Sequence, residues 1–112
     1  MGYRLFLDDE RYPPDDGGEW TVVRSVAEAQ ETVVRLGFPD YVSFDNDLGD
    51  RLPEGRDFAR WLIEIELDLD SGGMPDNFGW CCHTQNPVAR DAIDGLLVRY
   101  VEHKRQGRTP ML

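Results

Sequence analysis

Apolar positions follow two alternating rhythms along the chain. Tyr3 with Leu5, Phe6 and Leu7 forms a short block that predicts a strand over residues 3–8. Trp20 to Arg24, rich in β-branched residues, predicts a second strand, and Tyr41–Phe44 a third. Residues 77–83 predict a fourth, whose alternation sets Phe78, Trp80 and Cys82 on one face and Gly79, Cys81 and His83 on the other.

Between these runs the spacing turns helical. Ser25 followed by Glu28 is a capping-box signature, and Val26, Ala29, Val33 and Leu36 form one stripe that Gly37 and Pro39 end. A second helix is predicted from about Asp57 to Leu69, burying Phe58, Trp61, Leu62, Ile65 and Leu69. Asn86 with Pro87 opens a third, carrying Ala89, Ala92, Ile93, Leu96, Leu97 and Tyr100 and fading by Gly107. Residues 9–19, with Pro13, Pro14, Gly17 and Gly18, have loop chemistry and no room for a full helix.

Strand–helix alternation implies an α/β fold with a parallel sheet and right-handed crossovers. Ligands of such sheets bind beyond the carboxyl ends of the strands, where strand order reverses. The 112 residues suffice for one domain, 1–112, with a flexible tail expected from about 106 to 112. The net charge of −10 opposes an extended nucleic-acid surface, yet leaves room for a small nucleotide held through a metal. No apolar run reaches membrane-spanning length and no leader pattern opens the chain, so no membrane contact and a cytoplasmic location are expected. Cys81 and Cys82 are adjacent and have no other partner, which fits a reducing compartment; inside an apolar strand they read as core residues.

The chemistry lies where strands end. The first runs into Asp8, Asp9 and Glu10, and the third into Asp45, Asp47 and Asp50 around Gly49. If the two strands are neighbours, their carboxylates share one place. Two like charges about 4 Å apart repel by roughly 4 kcal/mol at an effective dielectric near 20. A cation, a shared proton or an arginine must offset such a group, and oxygen ligands with retained waters suit Mg²⁺. Either stretch alone reads as solvated turn acids; the pair, each directly after an apolar strand, points to a metal or phosphate site. Asp8, Asp9 and Asp45 are the candidate metal ligands, and Asp47 a further ligand or a base that orients water.

His83 ends the fourth strand and suits proton transfer near neutrality. Against this stands an ordinary strand-end histidine. Arg11 and Thr84 are candidate phosphate contacts. Arg56 reads better as a partner for the surplus acids, and His103 as a cation near a helix end.

Together, Leu5 to Arg11, Trp20 with Val22–Ser25, Val42–Gly49, Gly55–Phe58, His83 and Asn86-Pro87 resemble the cyclic-phosphate-processing receiver domains, over nearly the whole chain. The resemblance implies a receiver-like (flavodoxin-like) three-layer sandwich. Its parallel sheet is truncated to about four strands, the first helix is replaced by a loop, and the fifth strand is missing. It implies that Asp8 and Asp9 match the metal-binding acidic pair of receivers and Asp45 their phosphoacceptor position. The lysine at the end of a receiver's fifth strand has no counterpart here: Lys104, late in the last helix, is the only lysine. Phosphoacceptor signalling is therefore not expected. Asn46 stands where family members often carry histidine.

The first functional expectation is a Mg²⁺-dependent phosphoesterase acting on a cyclic phosphate or a nucleotide phosphate end, with His83 protonating the leaving oxygen. The second is a non-catalytic receiver-like module that binds a partner or a phosphorylated ligand. A Toprim-like or aspartate-phosphatase site ranks last, because the first strand ends in Asp-Asp-Glu rather than in the acidic patterns of those enzymes. Oligomeric state is not legible.

Overall fold

The computed structural model describes residues 2–45, 54–69, 74–75 and 77–108, with side chains described to residue 66 in the second helix and residue 103 in the third. Four strands, β1 (Arg4–Leu7), β2 (Thr21–Val23), β3 (Tyr41–Phe44) and β4 (Gly79–Cys82), form one parallel sheet in the order β2-β1-β3-β4. Three helices, α1 (Val26–Leu36), α2 (Gly55–Leu69) and α3 (Pro87–Arg108), connect and follow the strands. Strand order reverses between β1 and β3, so the crevice of a doubly wound sheet opens there.

Every other residue of the sheet faces the helices. Leu5, Leu7, Val23, Val42 and Phe44 are buried with Val26, Ala29 and Val33 of α1, Phe58 and Leu62 of α2, and Ile93 and Leu97 of α3. Each such side chain taken out of water contributes roughly 1.5–3 kcal/mol. The helices pack in sequence, α1 on α2 and α2 on α3, which puts all three on this one face. Among the described residues no helix lies on the opposite face, where Pro14, Asp16 and Trp20 of the segment after β1 border one cavity with Phe6, Tyr41 and Ser43.

The caps explain the helix limits. Ser25 Oγ accepts the Glu28 amide at 3.1 Å, while Glu28 returns its carboxylate to the Arg24 amide, one residue earlier than an ideal capping box. Gly37, at φ 93°, ends α1 with its N–H on Val33 O. Leu36 is not part of the buried stripe: it is half exposed, and Thr32 takes a buried place instead. The second helix starts at Gly55, two residues before the expected start near Asp57, which sits in the first turn and reaches back to the Glu54 amide at 2.7 Å. The third opens as expected, Asn86 Oδ1 accepting the amides of Val88 and Ala89, but it continues through Gly107 to Arg108. Helix therefore occupies 106–108, where a tail was expected. The fate of Leu69's side chain lies outside the described residues.

A buried carboxylate ties the helical layer together. Glu66 Oε1 accepts the Met74 amide at 2.9 Å and Oε2 accepts the Tyr100 hydroxyl at 3.3 Å. On β4 the expected alternation holds, Trp80 and Cys82 packing towards the core and Cys81 turning away. The reading of both cysteines as core residues needs correcting: Cys81 is exposed, because its face of the sheet carries no helix. Cys82 is partly buried, and burial pushes its thiol up to about 11. Among the described residues no helix is long and apolar enough to cross a membrane.

Candidate functional site

The parallel register builds the site. Leu7 pairs with Val23 and with Phe44, and Phe44 with Cys82. The next residue of each strand therefore falls in one row across the carboxyl edge: Arg24, Asp8, Asp45 and His83. Backbone bonds fix that row, with Asp8 N–H on Val23 O, Asp45 N–H on Leu7 O and His83 N–H on Phe44 O, at 2.9–3.1 Å. Asp8 and Asp45 are thus lateral neighbours, as two acidic strand ends require if β1 and β3 pair.

Asp8 is almost fully buried and both oxygens of its carboxylate are engaged. Oδ1 accepts the amides of Glu10 and Arg11 at 2.9 Å each, and Oδ2 lies 2.9 Å from His83 Nε2 and 3.8 Å from Arg11 Nε. Burial pushes its pKa up, but the Arg11 and Glu10 amides and the His83 imidazole outweigh that, and the net shift is downward. Asp8 is therefore an anion at neutral pH and only accepts, so the proton between it and His83 sits on Nε2.

His83 is held on three sides. Nδ1 lies 2.7 Å from Ser43 Oγ, which in turn accepts the Cys81 thiol at 3.2 Å. Its ring stacks on Phe6, centroids 4.6 Å apart and planes 8° apart. The imidazole thus leans from β4 across β3 to β1, and the small Ser43 beneath it leaves room for that. Ser43 is missed by sequence reasoning. Its one signal was a hydroxyl inside an otherwise apolar strand, which must find a partner when buried.

One ligand atom from each of Asp8, Asp45 and His83 can be chosen so that all lie within 4.8 Å of one another. Asp8, Asp9, Arg11, Asp45, Thr84 and their neighbours line a cavity of about 210 Å³ at this strand edge. The structure so brings together Asp8, Asp9, Asp45, Arg11 and Thr84. Asp9 lies on the exposed rim and is not part of the close carboxylate–imidazole group, in which His83 stands instead. Thr84 Oγ1 accepts the Asn86 amide at 3.2 Å, which leaves its hydroxyl proton free to donate. Arg56 pairs with Glu54 at 3.2 Å, as surplus acids predict. Asp47, Asn46, Gly49 and Asp50 lie outside the described residues.

His83 does not line the strand-edge cavity. It borders a second one, of about 360 Å³, on the helix-free face of the sheet. Arg24 is the other residue that sequence reasoning passed over. One guanidinium nitrogen donates to the carbonyls of Asp8 and Arg11, so it fixes the loop that presents the acidic pair.

The family description of the cyclic-phosphate-processing receiver domain matches residues 3–99. The chain belongs to this family. Its four-stranded parallel sheet with three helices is a truncated receiver fold of the flavodoxin type, with the loop of residues 9–19 in place of the first helix. No curated protein matches the chain. A solved structure described as the yeast Spc42 trimeric coiled coil, amino acids 181–211, fused to another structure has 12% identity and a TM-score of 0.47, over 95% of this chain and 83% of that one.

Oxygen donors for a divalent cation are present. Asp8 is anionic and immobilised by two amides, Asp45 is buried beside it, and Asp9 stands on the rim. Two or three carboxylates with room for water fit Mg²⁺. His83 fits the part of an outer partner that orients a ligating carboxylate.

Proposed function

We propose that this domain opens cyclic phosphates by metal-dependent hydrolysis. The observation that carries the reading is the row Asp8–Asp45–His83, two buried carboxylates and a clamped imidazole within 4.8 Å at the switch point of the sheet. Membership of a cyclic-phosphate-processing family supports it.

Asp8, Asp45 and Asp9 would hold Mg²⁺, which when bound offsets charge on the phosphoryl oxygens and acidifies a water. Thr84 and Arg11, on the same cavity, donate to phosphoryl oxygens. One water adds to phosphorus and one ring P–O bond breaks, giving a monoester. The water's proton goes to Asp47. The leaving oxygen takes a proton from His83 Nε2, which gives up its bond to Asp8 in that step, while Ser43 keeps the ring in place through Nδ1. A small nucleotide or other cyclic phosphate is the ligand, and the cytoplasm the place where such a reduced, acidic domain would work.

The test is hydrolysis of 2′,3′-cyclic nucleotides with Mg²⁺, comparing wild type with Asp45→Asn and His83→Ala. Turnover that both substitutions remove supports the proposal. No turnover across a broad cyclic-phosphate panel would sink it and leave the non-catalytic binding module as the better reading.

A further inference from the structure

The sheet-face cavity has no part in the chemistry described so far. We propose that it is the seat of a nucleobase, and that the substrate of the strand-edge site is therefore a nucleoside cyclic phosphate rather than a small cyclic phosphate without a base. The inference rests on the hydrolytic reading of that site and extends it to the rest of the substrate.

The cavity's walls are planar. Phe6, Trp20, Tyr41 and His83 are four of its nine lining residues. They form one connected set: Phe6 stacks on His83, Trp20 meets Phe6 edge-on at 5.8 Å, and Tyr41 meets Trp20 edge-on at 6.1 Å. Aromatic walls accept any base through its π face. Gly79 packs closely beside the Tyr41 wall, since a Cβ there would come within 3.1 Å of the ring. The volume, about 360 Å³, lies in the range of small-ligand pockets.

Polar groups at the cavity match a base edge better than a plain hydrocarbon. Arg4, over the Trp20 ring at 4.0 Å, and Asp16, joined to it by two hydrogen bonds, border the cavity as a charged pair.

Position decides the rest. Phe6, Ser43 and Cys81 form one row of the sheet, and Asp8, Asp45 and His83 lie two residues further along the same strands. Two residues of a strand span about 6.6 Å, comparable with a ribose and its substituents. His83 borders the sheet-face cavity while bonding Asp8, which lines the strand-edge cavity. A nucleotide with its phosphorus at the carboxylates and its base over Ser43 and Cys81 would hold its sugar oxygens beside the imidazole. That is where a proton donor for the leaving oxygen has to stand.

The test uses nucleosides, which lack phosphate, so that it does not depend on turnover. Adenosine and uridine are titrated to millimolar concentrations against the ¹⁵N-labelled protein, with inorganic phosphate and indole as separate probes. The expected result is that nucleosides shift the amides of Tyr41, Ser43 and Cys81, that phosphate shifts those of Arg11 and Thr84 instead, and that Cys81→Trp, which fills the cavity, weakens nucleoside binding at least tenfold. Unmoved sheet-face amides in the wild type overturn the inference whatever the variant does, and so does indole binding as tightly as the nucleosides. If nucleosides fail while 2′,3′-cyclic nucleotides are still opened, the base site falls and the hydrolytic reading stands. If nucleosides bind while no cyclic phosphate is opened, the reverse holds.

Discussion

The imidazole of His83 lies on Phe6 with its Nδ1 2.7 Å from Ser43 Oγ and its Nε2 2.9 Å from Asp8 Oδ2. A strand-end histidine with one hydrogen bond keeps rotamer freedom; this one has none left to lose. Its orientation is set before any ligand arrives, which is what a proton donor needs if positioning is not to be charged to each turnover. Removing the donor should cost the full effect of acid catalysis. His83→Ala is expected to lower kcat by about 10²–10⁴-fold.

Ser43 acts through His83 and not on the substrate, so its loss should look different. Ser43→Ala is expected to lower kcat by about tenfold with little change in KM, because the imidazole loses its Nδ1 partner. A bulkier Ser43→Leu should displace the ring from Phe6. The ring-current shift of the His83 protons in ¹H NMR reads that displacement, and an unchanged shift would contradict the clamp.

Mg²⁺ should stabilise the domain through Asp8 and Asp45. A ligand that binds only the native state adds about 2.7 kcal/mol at roughly a hundredfold excess over its Kd. Wild type is expected to melt higher with Mg²⁺ and to return to its starting Tm with a chelator. Asp45→Asn should melt at the same temperature with and without the metal. An equal Mg²⁺ effect in that variant would move the site elsewhere.

The lowered pKa of Asp8 has a sign that stability must follow. Its carboxyl is held below the ordinary 3.8, so the native state binds this proton less readily than the unfolded chain. The contribution is fully present above the unfolded value and is lost as pH falls through the lowered native one. Thermal unfolding from pH 6 downward should show wild type losing more stability than Asp8→Asn below about pH 4. Parallel curves would show that Asp8 gains nothing from its amides and His83.

Glu66 offers a check on the fold that does not touch the site. Glu66→Ala removes one acceptor from the Met74 amide and one from the Tyr100 hydroxyl, at an expected loss of about 1–3 kcal/mol in denaturant unfolding. Mg²⁺ stabilisation should persist in that variant.

Much of this architecture is legible along the chain, because short apolar runs that end in Asp-Asp and Asp-x-Asp announce both strands and their shared edge. The β4 alternation likewise put His83 and Cys81 on the face away from Phe78, Trp80 and Cys82. What is not legible depends on register and on which face is covered. Ser43 matters only because Phe44 pairs with Cys82, which brings position 83 over it. Arg24 matters only because Leu7 pairs with Val23, and no local pattern encodes that pairing. The exposure of Cys81 follows from a missing helix rather than from its own neighbours.

The most direct test of the central claim is ³¹P NMR of a 2′,3′-cyclic nucleotide incubated with the protein and Mg²⁺ in ¹⁸O-enriched water. The account predicts conversion to a single nucleoside monophosphate whose phosphorus resonance carries the isotope shift of one ¹⁸O, abolished by chelator and by His83→Ala. An unchanged cyclic resonance, or a product formed at the same rate without Mg²⁺ and without His83, would contradict it.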